Sequence, residues 1–241
     1  MTRLRSLAFN LLFFGWTAIL LVVGLPVLLL RHRHVLAYGR FWARTTLALL
    51  AGLVGLRHRV TGADNLPTGP LIVAVKHQSS WETLACMLLF REPAYVLKRE
   101  LLRIPIFGWY LLAAGMIAID RVGGSGALRT MLRRAAAAAA EGRTIVIYPE
   151  GTRTAPGERR PYQSGVAALY ERLGLPVTPV ALNSGLFWGR RSFAKRAGTI
   201  TVEILPPIAP GLPRREFLLR LETEIEGAMA RLDREVGAVA P

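Results

Sequence analysis

Residues 7–30, LAFNLLFFGWTAILLVVGLPVLLL, carry no charge, and an apolar run of that length limits the fold more than any other feature. As one continuous helix it reaches ~36 Å, enough to span a hydrocarbon layer. Pro26 near its end predicts a kink. The competing reading is a cleaved leader. The run is longer than the core of a leader and no small-residue cleavage site follows it, so the segment is read as retained. Arg3 and Arg5 precede it and RHRH (31–34) follows it, so the positive-inside rule selects no direction. This symmetry suits a helix that enters and returns, with the shorter apolar run 46–56 as the returning or interfacial arm and both ends cytoplasmic. A single crossing is the alternative.

Charge points the same way. Lys and Arg total 31 against 16 Asp and Glu, a formal +15, and such a surplus needs an anionic counterpart: nucleic acid, anionic lipid or a phosphorylated substrate. With 52% apolar residues, a seat on an anionic membrane fits and a nucleic-acid binder does not. No Asp or Glu precedes Asp64, whereas Arg3, Arg5, Arg31, Arg33, Arg40, Arg44, Arg57 and Arg59 do, an asymmetry that reads as bilayer contact. Cys86 is the only cysteine, which excludes an intramolecular disulfide and a cysteine-rich zinc site. Within LACMLLF it reads as a small core residue.

After Gly62 the chain alternates short apolar runs, punctuated by Gly and Pro, with longer helical patterns, which predicts an α/β domain. The expected fold is a mixed central sheet flanked by helices, with residues 1–60 as a membrane-embedded helical segment and 61–241 as the functional domain. Strands are expected at 70–75, 94–97, 116–119, 144–148, 177–182 and 199–205. Helices are expected at 80–90, 100–112, 125–141, 164–173 and 214–235. In the last, Phe217, Leu221, Ile225, Met229, Leu232 and Val236 form a stripe that faces a core. RRAAAAAA (133–140) has high helix propensity and reads as a packed helix.

Chemistry concentrates where predicted strands end. His77 follows the strand PLIVAV, at the strand-to-helix turn where open α/β sheets gather functional groups. Glu82 sits in the first turn of the next helix, its side chain tilted back toward His77. A carboxylate on one imidazole nitrogen fixes the tautomer and leaves the other as a base. The same residues support a second reading, because Ser79 followed by Glu82 is a capping-box pattern. YPEGTRT (148–154) also follows an apolar strand: Gly151 permits a tight turn, Arg153 offers a planar fork for phosphate oxygens, and Glu150 is placed to orient the arginine or a substrate hydroxyl. AIDR ends at Arg121, and VLKREL carries Lys98 and Arg99 at another strand end. Together these cations outline a phosphate-binding bowl opposite a histidine base. WGRRSFAKR (188–196) is basic with interleaved aromatics, suited to lipid headgroups, CoA phosphates or an acidic carrier protein, or to a solvated loop.

These segments resemble the ordered motifs of the glycerolipid acyltransferases. HQSSWE is similar to the first, a histidine followed five residues on by Asp or Glu; GMIAIDR (115–121), YPEGTRT and VTPVAL resemble the second, third and fourth. The likeness covers about residues 60 to 210 and is greatest to bacterial members acting on 1-acylglycerol 3-phosphate, including RELLRIPIFGW (99–109). Glu82 stands where many members carry Asp. The resemblance implies that His77 is the general base and Glu82 its carboxylate partner. It implies that Arg121, Glu150, Gly151 and Arg153 bind the acceptor's glycerol phosphate; Lys98 is a weaker candidate, suggested mainly by its strand-end charge. Acyl-CoA or acyl-carrier protein would be co-substrate, with no metal and no tightly bound cofactor. The setting implied is phospholipid biosynthesis at the bacterial inner membrane, with the site facing the cytoplasm. Two alternatives remain at this point. One is an acyltransferase for another lyso-lipid such as lyso-ornithine lipid; the other is a non-catalytic basic membrane protein that binds anionic lipid or nucleic acid.

Overall fold

The computed structural model describes residues 2–120 and 123–239. Among them seven strands make one mixed sheet in the order β1-β7-β6-β2-β5-β3-β4. They are β1 (Leu56–Thr61), β2 (Ile72–Val75), β3 (Ala94–Lys98), β4 (Ile117–Ile119), β5 (Ile145–Ile147), β6 (Val177–Leu182) and β7 (Gly198–Ile204). From β6 to β4 every neighbouring pair is parallel. β7 runs against β6, and β1 lies parallel to β7. All four residues of β2 are buried, because helices cover both faces and the strand has no wet side. Ile72 and Ala74 enter one core with α5 (Gly124–Ala140), α6 (Ser164–Leu173) and α7 (Arg214–Val239). Val73 and Val75 enter the other with α1 (Thr2–Val23), α2 (His32–Leu49), α3 (Trp81–Leu89) and α4 (Phe107–Ala113).

The expected α/β architecture is present, and its departures have local causes. β1 is absent from the sequence expectation because its burial pattern is mostly exposed: on an edge strand, basic residues replace the apolar alternation. Arg59, read from sequence as facing a bilayer, instead donates to Thr201 Oγ1 and Glu235 Oε2, both at 2.9 Å. The expected helix 100–112 is broken. A 3₁₀ turn occupies Arg99–Arg103, Pro105 interrupts it, Ile106 takes φ +62°, and only Phe107–Ala113 is α-helical. A proline amide cannot continue the ladder. The α7 stripe is buried from Phe217 to Leu232; the side chain of Val236 lies outside the described residues. Ala135 and Ala138 are buried, so the alanine run is a packed helix as expected.

The long apolar segment is not one helix. α1 stops at Val23, a 3₁₀ turn spans Leu25–Leu29, and α2 folds back from His32, well before the expected returning arm at 46–56. α2 was obscured in the sequence because its His, Arg and Thr residues interrupt the apolar run. Two indole bonds join the arms: Trp16 Nε1 donates to Thr45 Oγ1 at 2.8 Å, and Trp42 Nε1 donates to Thr17 Oγ1 at 3.0 Å. α1 remains long and apolar enough to cross a membrane, with mean hydropathy 2.1, and Leu11, Phe14 and Val23 are exposed. Both of its ends nevertheless touch the sheet domain. The Lys195 N–H donates to Ser6 Oγ at 2.9 Å near one end, and the Tyr110 hydroxyl donates to the Leu21 carbonyl at 3.0 Å near the other. Phe9 and Leu36 share a core with Val73 and Val75, and the expected division at 60/61 falls inside β1.

Gly24 makes the reversal possible. A Cβ there would lie 2.3 Å from the Tyr38 ring and 2.6 Å from the Tyr110 hydroxyl. Both hydroxyls donate to carbonyls at the end of α1, Tyr38 to Leu20 at 2.7 Å and Tyr110 to Leu21, so neither ring can yield without losing its bond. Gly24→Ala is predicted to destabilise the protein by about 1–3 kcal/mol, read as a lower melting temperature in detergent. An unchanged melting temperature would contradict this packing.

Candidate active site

Because β2, β5, β3 and β4 are parallel, their carboxyl ends share one rim of the sheet. The chain leaving β2 carries His77 onto that rim, and α3 begins four residues later. Glu82, fully buried, organises the turn. Its Oε1 lies 2.8 Å from His77 Nδ1 and accepts the backbone N–H groups of Gln78 at 2.8 Å and Ser79 at 2.6 Å. Its Oε2 accepts the Ser184 hydroxyl at 2.8 Å. A carboxylate so occupied acts as acceptor for the imidazole too, which places the ring hydrogen on Nδ1 and the lone pair on Nε2. The capping-box reading also holds in part. Glu82 reaches back to the Ser79 N–H, while Ser79 Oγ accepts from the Trp81 N–H at 3.1 Å.

The segment after β5 clamps the His77 peptide. Its N–H points to Glu150 Oε1 at 3.4 Å, and its carbonyl accepts the Thr154 N–H at 2.8 Å and hydroxyl at 3.2 Å. Tyr148 stacks on the imidazole with ring centroids 4.0 Å apart. These contacts fix both the backbone and the ring plane of one histidine. Cys86 is buried, and burial pushes its thiol up, so it is not a ready nucleophile.

The other residues picked out in the sequence lie as follows. Gly151 adopts φ +68° and its N–H closes the turn onto the Tyr148 carbonyl at 2.9 Å; the left-handed conformation explains the glycine. Arg153 is half-buried on the same turn, and its carbonyl accepts from Arg190 at 3.2 Å. Lys98 is exposed at the end of β3, opposite Ile119 of β4. Arg121 lies outside the described residues. Glu150 has a side chain with 0% exposure that meets Lys76 Nζ at 3.2 Å, so it orients the lysine and the His77 amide. In the basic loop, Lys195 is buried: its ammonium bonds Asn10 Oδ1 at 2.5 Å and lies 5.0 Å from the Trp188 ring. That residue fastens α1 to the domain. Among the described residues, no three His, Cys, Asp or Glu side chains form a metal-sized group.

Six residues that hold this site were not singled out in the sequence: Lys76, Gln78, Tyr148, Thr154, Ser184 and Glu226, the last 2.6 Å from Lys76 Nζ. Gln78 Oε1 accepts the Gly185 N–H at 3.0 Å, and Ser184 reaches Glu82 from the end of β6. Both rest on contacts more than a hundred residues apart, which no local pattern reveals. Lys76 did carry a signal. A lysine directly after an apolar strand, alternating onto the face of Ile72 and Ala74, is buried and needs an acid.

Comparison with known proteins gives consistent likenesses. The family model described as Acyltransferase matches residues 57–183. The chain is 36% identical over 207 residues to the 1-acyl-sn-glycerol-3-phosphate acyltransferase of Pseudomonas aeruginosa, covering 84% of this chain and 80% of that protein. It is 30% identical over 197 residues to the human 1-acyl-sn-glycerol-3-phosphate acyltransferase alpha, covering 80% and 69%. The crystal structure of the 1-acyl-sn-glycerophosphate (LPA) acyltransferase PlsC from Thermotoga maritima superposes with a TM-score of 0.79 at 21% identity, over 97% of this chain and 98% of that one. At that identity the last likeness speaks for the fold.

Burial pushes the Glu150 carboxyl up from 4.5 to about 7, against the pull of the Lys76 ammonium. Between those values the native protein keeps a proton that the unfolded chain has lost, so this group makes the fold less stable as pH rises from 4.5 to about 7. Glu150→Gln is predicted to remove that slope. The melting-temperature difference between variant and wild type should move in the variant's favour between about pH 4.5 and pH 8. A difference that stays constant with pH would refute the assignment.

Proposed function

The chain belongs to the acyltransferase family, and on that premise we propose that it transfers an acyl chain to the free sn-2 hydroxyl of 1-acyl-sn-glycerol 3-phosphate, giving phosphatidic acid for phospholipid biosynthesis. The observation that carries the proposal is the 2.8 Å contact of His77 Nδ1 with buried Glu82, at the rim where strands with parallel neighbours end. The donor is a thioester, acyl-CoA or acyl-carrier protein. His77 Nε2 takes the hydroxyl proton while Glu82 stabilises the imidazolium. The alkoxide oxygen bonds the thioester carbonyl carbon, and a tetrahedral oxyanion forms. Its C–S bond then breaks and the departing thiolate takes the proton back from Nε2. Each step moves a proton or an acyl group, without a resident cofactor or metal.

Acceptor phosphate is assigned to the strand-end cations. Arg153 supplies a planar fork on the Gly151 turn, with Lys98 from the end of β3 and Arg121, two residues after β4 in sequence. Glu150, buried, acts through the His77 amide rather than by touching the acceptor. A phosphate-bearing acceptor is favoured over lyso-ornithine lipid because these cations would otherwise lack a partner on the substrate.

Membrane lipid is the proposed partner of the N-terminal hairpin, at the cytoplasmic face of a bacterial inner membrane. α1 is tied to the domain near both ends, which favours entry and return in one leaflet over a full crossing. A crossing helix would carry one end away from the domain.

Two experiments follow. Purified protein in detergent, supplied with 1-acylglycerol 3-phosphate and labelled acyl-CoA or acyl-carrier protein, is predicted to form phosphatidic acid. His77→Ala should lower the rate by about 10²–10⁴-fold. No transfer from either donor, or wild-type transfer by His77→Ala, would sink the mechanism; preferential labelling of lyso-ornithine lipid would change the acceptor. For topology, cysteines placed singly at Arg3 and Arg33 should both react with an impermeant maleimide from the cytoplasmic side only. Labelling of the two from opposite sides would establish a crossing.

A further inference from the structure

Lys76 sits one residue before the base and takes no part in the acyl transfer described above. Its N–H donates to the Val180 carbonyl at 2.9 Å, so it extends β2. Alternation along that strand sends its side chain to the face of Ile72 and Ala74, opposite His77. There it is 1% exposed, with Nζ 2.6 Å from Glu226 Oε1 on α7 and 3.2 Å from Glu150 Oε1. The same Glu150 oxygen lies 3.4 Å from the His77 nitrogen. The Tyr162 hydroxyl donates to Glu226 Oε1 at 3.1 Å and holds that carboxylate in place. An unbroken series of polar contacts therefore joins α7 to the peptide of the base.

Packing gives no reason for this arrangement. An ion cluster in a core is commonly no more stable than apolar residues of the same volume, because desolvation opposes the attraction. Here the Lys76 ammonium is withdrawn from water between Glu226, which also lies 3.9 Å from Arg159 Nε, and the buried Glu150 carboxyl.

We propose that Lys76 is a positioning residue for the histidine base: anchored on Glu226 of the last helix, its ammonium holds the Glu150 carboxylate beneath the His77 amide and so sets the reach of the imidazole. The proposal rests on the acyl-transfer reading above. Glu82 fixes the ring from one face of the sheet, and the Lys76 tether fixes the backbone from the other. A base displaced by about 1 Å can lose about 10²-fold in rate. Neither Lys76 nor Glu226 touches the proposed phosphate-binding cations, and the Gly151 turn keeps its own bond to the Tyr148 carbonyl, so their loss is expected to act on kcat more than on KM.

The test is the variant pair Lys76→Met/Glu226→Gln, which keeps side-chain volume while removing the ion pair, compared with Glu226→Gln alone. The double variant leaves buried Glu150 without its counter-charge and should melt below the wild-type temperature, so kcat is taken per folded protein at a temperature where the variant stays folded. Its kcat should fall at least about tenfold, while KM for 1-acylglycerol 3-phosphate stays within about twofold. Glu226→Gln should show a smaller loss of kcat, again at unchanged KM. A double variant with wild-type kcat overturns the proposal, as does a loss confined to KM or one proportional to the loss of folded protein. A wild-type protein that acylates neither acceptor overturns the acyl-transfer reading itself, an outcome distinct from an active wild type with indifferent variants.

Discussion

One buried carboxylate governs the geometry of the site. Glu82 is removed from water and accepts from an imidazole, two backbone amides and a hydroxyl. An anion in a core is tolerated only with such a complement of donors, and the acceptor and its donors come from three places in the chain. The turn after β2 supplies the amides and the imidazole, α3 supplies the glutamate, and the segment after β6 supplies Ser184. Satisfying one charge therefore docks β6 against the β2 turn and sets the imidazole in a single tautomer. The architecture around it, parallel strands ending on a common rim, follows from covering both faces of the sheet with helices.

Much of this was legible in sequence because it is local. His77 and Glu82 are five residues apart, and the helical tilt that brings the carboxylate back to the ring is a property of every right-handed helix. β2 and β5 were legible because buried parallel strands read as uninterrupted apolar runs, and β7 because its apolar residues alternate with Thr and Glu. β1 and α2 were not: both trade apolar residues for Arg, His or Thr at solvent-facing positions, and their burial is decided by partners far along the chain. Ser184 was hidden for the same reason, since its significance lies in a partner 102 residues away. The charge asymmetry of the N-terminal region was legible as a fact but not in its target, because Arg59 ends on α7 and Arg40 on the Phe90 carbonyl at 2.5 Å.

Glu150 shows how a side chain's contacts can lie beyond what its motif reveals. A carboxylate in YPEGTRT invites a role toward substrate, yet its side chain is sealed off and meets Lys76 and the His77 amide. The turn that presents Gly151 and Arg153 to the rim is the same turn that clamps the base. Alignment of the histidine is thus built from that loop, with Glu150 meeting the N–H of His77 and Thr154 bonding its carbonyl.

The pairing of β1 with β7 carries a consequence for biogenesis. Arg59 and its partner Thr201 are 142 residues apart, so a nascent chain exposes β1 and the apolar hairpin before it long before the strand that pairs with β1 is synthesised. Phe9, Leu36 and Leu47 belong to a core shared with Val180 and Ile200, which do not yet exist when the first two helices emerge. During that interval the hairpin lacks the protein surface that covers it in the folded chain, the condition under which apolar segments aggregate. Closure of that core and of the sheet edge therefore waits for β7, so the N-terminal hairpin is among the first parts of the chain to be made and among the last to be covered.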